Sequence, residues 1–260
     1  MALIVLASAS GSPGVTTAAL ALSLAWPQPT LLVEADPTGG SAILAGWFQG
    51  HPPHNRGLVN LAIAHRQGEL GTALAAATIK IPDTDVQLLA GLRSHRQVPS
   101  AAALWEPLGR TLLELDDTGT DVIIDAGRLG MVGAPLPLLQ AADVVLLTTR
   151  TTLPAISSAR SWARSLTDDL TATGAADKLG LLLVGEGRTF SAKEVTSVLG
   201  LPVVASLAWD PVSAETFHLG RAPRKRRFDT GSLGRSIRAA VSAIHALAHA
   251  ERDKPTEESA

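Results

Sequence analysis

Residues 10–17 read Ser-Gly-Ser-Pro-Gly-Val-Thr-Thr. Two glycines three apart, followed by two hydroxyl side chains, make a frame for phosphate. A loop of this kind points successive backbone N–H groups at one spot, and a following helix adds its positive end. Gly11, Ser12, Pro13, Gly14, Val15, Thr16 and Thr17 are therefore the candidate cradle. The same frame in active phosphate loops carries a lysine just before the hydroxyl residue. Here that position is Val15. A cation at about 3–4 Å from a phosphate contributes several kcal/mol at protein-like dielectric, so the loop keeps its backbone and lacks its charge. Gly-Ser-Pro-Gly alone is equally a tight strand-to-helix turn.

The flanking elements decide between these readings. Leu3–Ala7 is a short apolar run that reads as a buried strand, and Thr17–Ala25 reads as a helix. Strand, glycine loop and helix is the context in which a phosphate loop is credible. Further apolar runs predict strands at 31–33, 78–81, 86–90, 122–125, 144–148, 179–184 and 203–205. Helices are expected at 58–66, 101–115, 156–171, 192–199 and 233–251. Short, wholly apolar strands alternating with helices predict an α/β fold, a doubly wound and mostly parallel sheet flanked by helices. Ligands of such folds bind beyond the carboxyl ends of the strands. That places Gly11 and Asp36 at one edge. Asp36 on its own could be a helix N-cap, and Asp125 a turn acid at a strand end.

These landmarks resemble the MinD/ParA group of P-loop ATPases (SIMIBI class), whose deviant Walker A loop reads Lys-Gly-Gly-x-Gly-Lys-Thr-Thr. Gly11, Gly14, Thr16 and Thr17 match that pattern without gaps. Ser10 replaces the signature lysine that reaches across the family's dimer, and Val15 replaces the ordinary Walker lysine. The resemblance extends to Leu31–Gly40, with Asp36 on the aspartate that orients the attacking water and Glu34 in place of the first switch aspartate. It extends to Asp121–Gly127 as the Walker B strand, to Ala141–Thr149, and to Leu207–Pro211, the late loop beside the base. It implies ATP with Mg²⁺ as cofactors. Asp36 would be the catalytic residue, Thr16 and Asp125 (through water) would hold the metal, and Asp210 and Pro211 would lie near the base. Val184-Gly185-Glu186-Gly187-Arg188 stands where the family often has an adenine-reading Asn-Arg pair. With both lysines absent, weak or vestigial nucleotide binding and weak or absent ATPase activity are expected.

Lysine-poor loops of this kind resemble the pilus-associated TadZ/CpaE-like branch. The function implied is a positioning or regulatory protein that spatially organises a pilus or secretion machine. It would act as a homodimer that docks a protein partner, such as a pilus or secretion ATPase. The alternative is an active Mg-ATP-dependent partition ATPase. Arg128, following Asp125-Ala126-Gly127, is either a solvated arginine or a replacement for the charge missing at Val15.

Composition agrees with a single domain over residues 1–250, followed by a polar disordered tail at 251–260. The 260 residues include no cysteine, which excludes a disulfide framework or a Cys-ligated metal. His51 and His54, the closest histidine pair, lie beside Pro52-Pro53 with no spaced carboxylate and read as a solvated loop. Met1–Ala9 lacks the basic start and apolar length of a secretion signal. No apolar run is long enough to span a bilayer, so a cytoplasmic location is expected. Net charge is −2, which is poor for a general DNA binder, and the one dense basic run is Arg221–Arg227. That run reads as a solvated loop or a contact for acidic partners, nucleic acid or membrane.

Overall fold

A computed structural model describes residues 1–220 and 230–252. The strands are β1 (Leu3–Ser8), β2 (Thr30–Glu34), β3 (Ile79–Lys80), β4 (Val86–Leu89), β5 (Asp121–Arg128), β6 (Val144–Arg150), β7 (Leu179–Val184) and β8 (Val203–Leu207). They form one sheet in the order β3-β4-β2-β5-β1-β6-β7-β8. Every pairing is parallel except the edge pair β3–β4. The helices are α1 (Val15–Ala25), α2 (Ala42–Ala45), α3 (Leu58–Gln67), α4 (Leu70–Ala77), α5 (Val98–Ala102), α6 (Trp105–Leu113), α7 (Leu136–Ala141), α8 (Leu153–Ala172), α9 (Ala192–Leu199), α10 (Pro211–Leu219) and α11 (Ser232–Arg252).

Side chains alternate across a strand, so each central strand feeds two cores. Leu3, Val5 and Ala7 of β1 join Val122, Ile124 and Ala126 of β5 on one face, under α3 to α9. Ile4 and Leu6 join Ile123 on the other face, against α1, α10 and α11. Burial on both faces explains why β1 reads as an unbroken apolar run rather than an alternation. In β5 the second face carries Asp121, Ile123 and Asp125. One strand therefore places two buried carboxylates on the same face, four residues apart.

The doubly wound sheet is as the sequence predicts, and its differences are local. The helix expected at 101–115 is broken into α5 and α6, with a 3-10 turn at Glu114–Thr118. Wholly buried Trp105 begins a new helix there, with its indole N–H on the Gly133 carbonyl at 2.9 Å. α1 begins at Val15, two positions earlier than expected. Helices α2, α4, α7 and α10 are additional to those expected. The last helix runs to Arg252, two residues into the expected tail; residues 253–260 lie outside the described residues, as does the Arg221–Arg227 run.

Candidate functional site

The carboxyl ends of β1, β2, β5, β6, β7 and β8 converge on a cavity of about 970 Å³. All nine candidate cofactor-binding residues line it: Gly11, Ser12, Pro13, Gly14, Val15, Thr16, Thr17, Asp210 and Pro211. So does Asp36. The loop from β1 to α1 turns through two left-handed residues, Ser12 (φ 53°) and Gly14 (φ 108°, ψ 30°). Gly14 forms the N-cap of α1, and its carbonyl accepts the Ala18 N–H at 2.8 Å. A Cβ at Gly14 would touch nothing, so glycine is needed there for its backbone angles and not for space.

The side chain of Val15 is 6% exposed and packs into the α1 core. The position that would carry a phosphate-directed cation is spent on packing. Thr16 and Thr17 remain at the mouth of the loop. The Thr16 hydroxyl bonds the Asp125 carboxylate, which also accepts the Gly127 N–H at 3.0 Å. The two residues assigned to Mg²⁺ are thus in direct contact. The Thr17 hydroxyl lies 3.2 Å from Nε2 of His218 on α10.

Three carboxylates crowd this edge. Strand register sets Leu6 of β1, Asp125 of β5 and Glu34 of β2 side by side. Asp125 is buried, and its carboxyl is pushed up to about 6, first by desolvation and then by the charge of Asp36, against the Thr16 and Gly127 bonds. Glu34 is pushed up to about 7, mainly by burial and in part by Asp125. The Ser41 hydroxyl donates to Glu34, as do the N–H groups of Ile43 at 3.2 Å and Gly91 at 3.3 Å. Glu34 is therefore locked onto the start of α2. Asp36 accepts the Thr38 N–H at 2.8 Å, which is an Asx turn and not a helix cap. Its carboxylate lies against Gly127 (φ 63°), where a Cβ would sit 2.2 Å from the Asp36 Cγ. A glycine after Asp125 is what lets the β2 and β5 loops meet.

Arg128 lines the cavity but is exposed, with no hydrogen bond or ion pair among the described residues. Arg150, the last residue of β6, is the one built in. Its Nη2 donates to the Ser12 carbonyl at 2.7 Å, and its buried Nε has no partner. Its guanidinium stacks on the Trp209 ring at 4.7 Å, and Arg188 lies against the same ring at 4.8 Å. An indole in contact with two guanidiniums thus stands at the end of the cavity where Val184–Arg188 and Leu207–Pro211 meet. Residue-type reasoning missed Arg150; the available signal was an arginine at the carboxyl end of a strand in a parallel sheet. Asp210 caps α10, accepting the Ser213 N–H at 3.0 Å and hydroxyl at 2.6 Å.

A sheet with a glycine loop from β1 into α1 and acids on β5 and at the end of β2 matches known structures along nearly its whole length. Cell division ATPase MinD of Pyrococcus furiosus superposes with a TM-score of 0.73 at 20% identity, covering 95% of this chain and 100% of that one. This chain has the MinD/ParA fold. The septum site-determining protein MinD of Pyrococcus horikoshii, solved with Mg-ADP, gives 0.73 at 21% identity over 96% and 99% of the two chains. A ParA family ATPase of Chlorobium tepidum gives 0.70 at 17% identity over 94% and 100%. No protein-family model matches the chain. Two uncharacterized proteins of Mycobacterium tuberculosis strains, MT3760 and Rv3660c, are each 31% identical over 155 residues. That match covers 52% of this chain and 43% of each relative, so the chain spans less than half the length of the curated relatives it matches. No described helix is long and apolar enough to cross a membrane.

Proposed function

We propose that this chain is a MinD/ParA-like positioning or regulatory protein whose phosphate loop still takes a nucleotide, weakly, and whose hydrolysis is at or near background. One observation carries the reading. The loop keeps its left-handed turns and its Thr16–Asp125 contact, while the side chain at position 15 is buried in the core and the cation nearest the loop, Arg150, is tied to the Ser12 carbonyl.

The residues fit a nucleotide and its metal in kind. The open backbone at Gly11 and Gly14 suits close approach of phosphate oxygens, and the unpartnered Nε of Arg150 suits an anion. Thr16 and Asp125 would hold Mg²⁺, which would neutralise charge on the phosphates. Two buried carboxyls with raised affinity for protons, beside Asp36, make a site that wants a cation before it accepts a triphosphate. Phosphoryl transfer depends on positioned cations as charge develops. One arginine already engaged with a carbonyl and an indole supplies less than two free lysines. Asp36, held over Gly127, stands in the same cavity to orient a water if any turnover remains.

Output then comes through partners. Val132, Leu153 and Val212 are 88%, 66% and 77% exposed, and all three lie on segments leaving the carboxyl ends of strands. They give a second copy or a partner apolar surface beside the nucleotide site. With Ser10 in place of the lysine that closes the family's dimer, a homodimer would persist without nucleotide. The machine served is of the pilus or secretion kind, and its motor ATPase is the expected partner. Sedimentation with and without Mg-ATP tests the scaffold: an unchanged dimer supports it. A monomer that dimerises only with ATP contradicts it and favours the active partition ATPase.

A further inference from the structure

At the other end of β5, away from the phosphate loop, a second set of polar groups is gathered in the protein. Asp121 opens the strand and is 2% exposed. Its two oxygens are already oriented. Oδ1 accepts the Ala2 N–H at 2.6 Å, and Oδ2 accepts the indole N–H of Trp26 at 2.8 Å. Each oxygen keeps a further lone pair. Both donors are neutral, and Asp121 has no ion pair among the described residues. A buried carboxylate charge held by neutral donors alone lacks its usual compensation.

His245 and His249 face it from α11. Four residues apart on a helix, they share one face, with ring centroids 4.2 Å apart. The His245 ring also lies 5.7 Å from Trp26. Each histidine buries an Nε2 that has no hydrogen-bond partner. Two orphaned imidazole nitrogens side by side are expensive if they serve packing alone, since a buried polar group without a partner forfeits its bonds to water. One nitrogen from each ring and one carboxylate oxygen of Asp121 lie within 4.8 Å of one another.

We propose that Asp121, His245 and His249 form a binding site for a divalent transition metal, Zn²⁺ by preference, that pins α11 to the start of β5. The donor set selects the metal. Imidazole nitrogens favour Zn²⁺ and its neighbours over Mg²⁺ or Ca²⁺. Two histidines and a carboxylate leave a fourth tetrahedral position for water. Tetrahedral ligands at about 2.0–2.1 Å from zinc stand about 3.3 Å apart, within a small side-chain adjustment of the observed spread. The Trp26 and Ala2 donors orient the carboxylate as outer groups do around metal ligands. The site is separate from the Thr16–Asp125 pair, whose acid lies four residues further along the same strand.

The test uses untagged full-length chain, stripped with chelator and dialysed. Calorimetry with Zn²⁺ alone should show about one equivalent bound, with a melting temperature that rises with zinc. Co²⁺ in its place should give the strong visible bands of a four-coordinate ion. His245→Gln and His249→Gln should each weaken zinc at least ~10-fold, since each removes one of three protein ligands. His54→Gln, in a ring-to-carbonyl contact elsewhere, should leave it unchanged. Absence of saturable zinc uptake, or the weak spectrum of six-coordinate aqueous cobalt, overturns the proposal. So does stoichiometric binding that survives both histidine changes. Should a histidine variant fail to fold, the cobalt spectrum of the unaltered chain still decides.

Discussion

Replacing Arg150 isolates the one cation that, among the described residues, the fold bonds to the phosphate loop. In Arg150→Ala the charged hydrogen bond to the Ser12 carbonyl, 2.7 Å long, is lost, together with the stack on Trp209. Both partners are partly solvated, so the bond is worth about 1 kcal/mol and the stack about 0.5–1 kcal/mol. A loss of about 1–2 kcal/mol in a chain of this size lowers the melting temperature by roughly 3–6 °C. The effect on ligand is separate. A unit charge about 4 Å from a phosphate is worth up to ~4 kcal/mol near a protein surface, and solvent and salt reduce that. A tenfold loss of nucleotide affinity, about 1.4 kcal/mol, is the expected floor. Calorimetry with Mg-ADP at low salt, alongside thermal denaturation, measures both. Arg150→Lys should recover part of the affinity and little of the stability, because lysine lacks the planar fork that serves carbonyl and ring together. An alanine variant with unaltered affinity and melting temperature would refute this account of the loop.

Three further outcomes are expected. Glu34 holds its proton up to about 7 against an ordinary 4.5, so its contribution to stability is complete below about pH 4.5 and is lost as pH rises through 7. That amounts to about 3 kcal/mol, and denaturant titrations of Glu34→Gln across pH 4.5–8 should show a flatter profile than the unaltered chain. Gly127→Ala would place a Cβ 2.2 Å from the Asp36 Cγ at a φ of 63°; it should cost about 1–3 kcal/mol, read by denaturant midpoint, and remove any residual turnover. Ser10→Lys with Val15→Lys should raise Mg-ATP affinity at least ~10-fold, while loss of the buried Val15 methyls costs about 1–2 kcal/mol of stability. No gain in affinity would mean that the loop geometry no longer serves phosphate.

The phosphate frame and the sheet were legible because they are local. Gly14 needs a left-handed angle at a fixed place, and β1 needs an unbroken apolar run. The order of acids at strand ends was legible for the same reason. What was not legible is carried by distance in sequence. Arg150 reaches Ser12 across 138 residues, and Trp209 meets Arg188 only because β7 and β8 are neighbours. The burial of Val15 could not be read from its type, since a valine after Gly14 faces either the loop or the core. His245 and His249 do have a signal, four-residue spacing. Their carboxylate is 124 residues earlier, and Ile237, Val241 and Ile244 dominate the pattern of that helix. Thr16 and Asp125 were matched as separate motifs; their contact with each other belongs to the β1–β5 pairing.

The central claim is a phosphate site retained without its lysines. Calorimetry of Mg-ATP against the full chain, paired with a phosphate-release assay on the same sample, tests it most directly. The account predicts saturable binding no tighter than micromolar and release indistinguishable from a sample lacking enzyme. Submicromolar binding with turnover abolished by Asp36→Ala and Asp125→Ala would contradict it and establish an active ATPase.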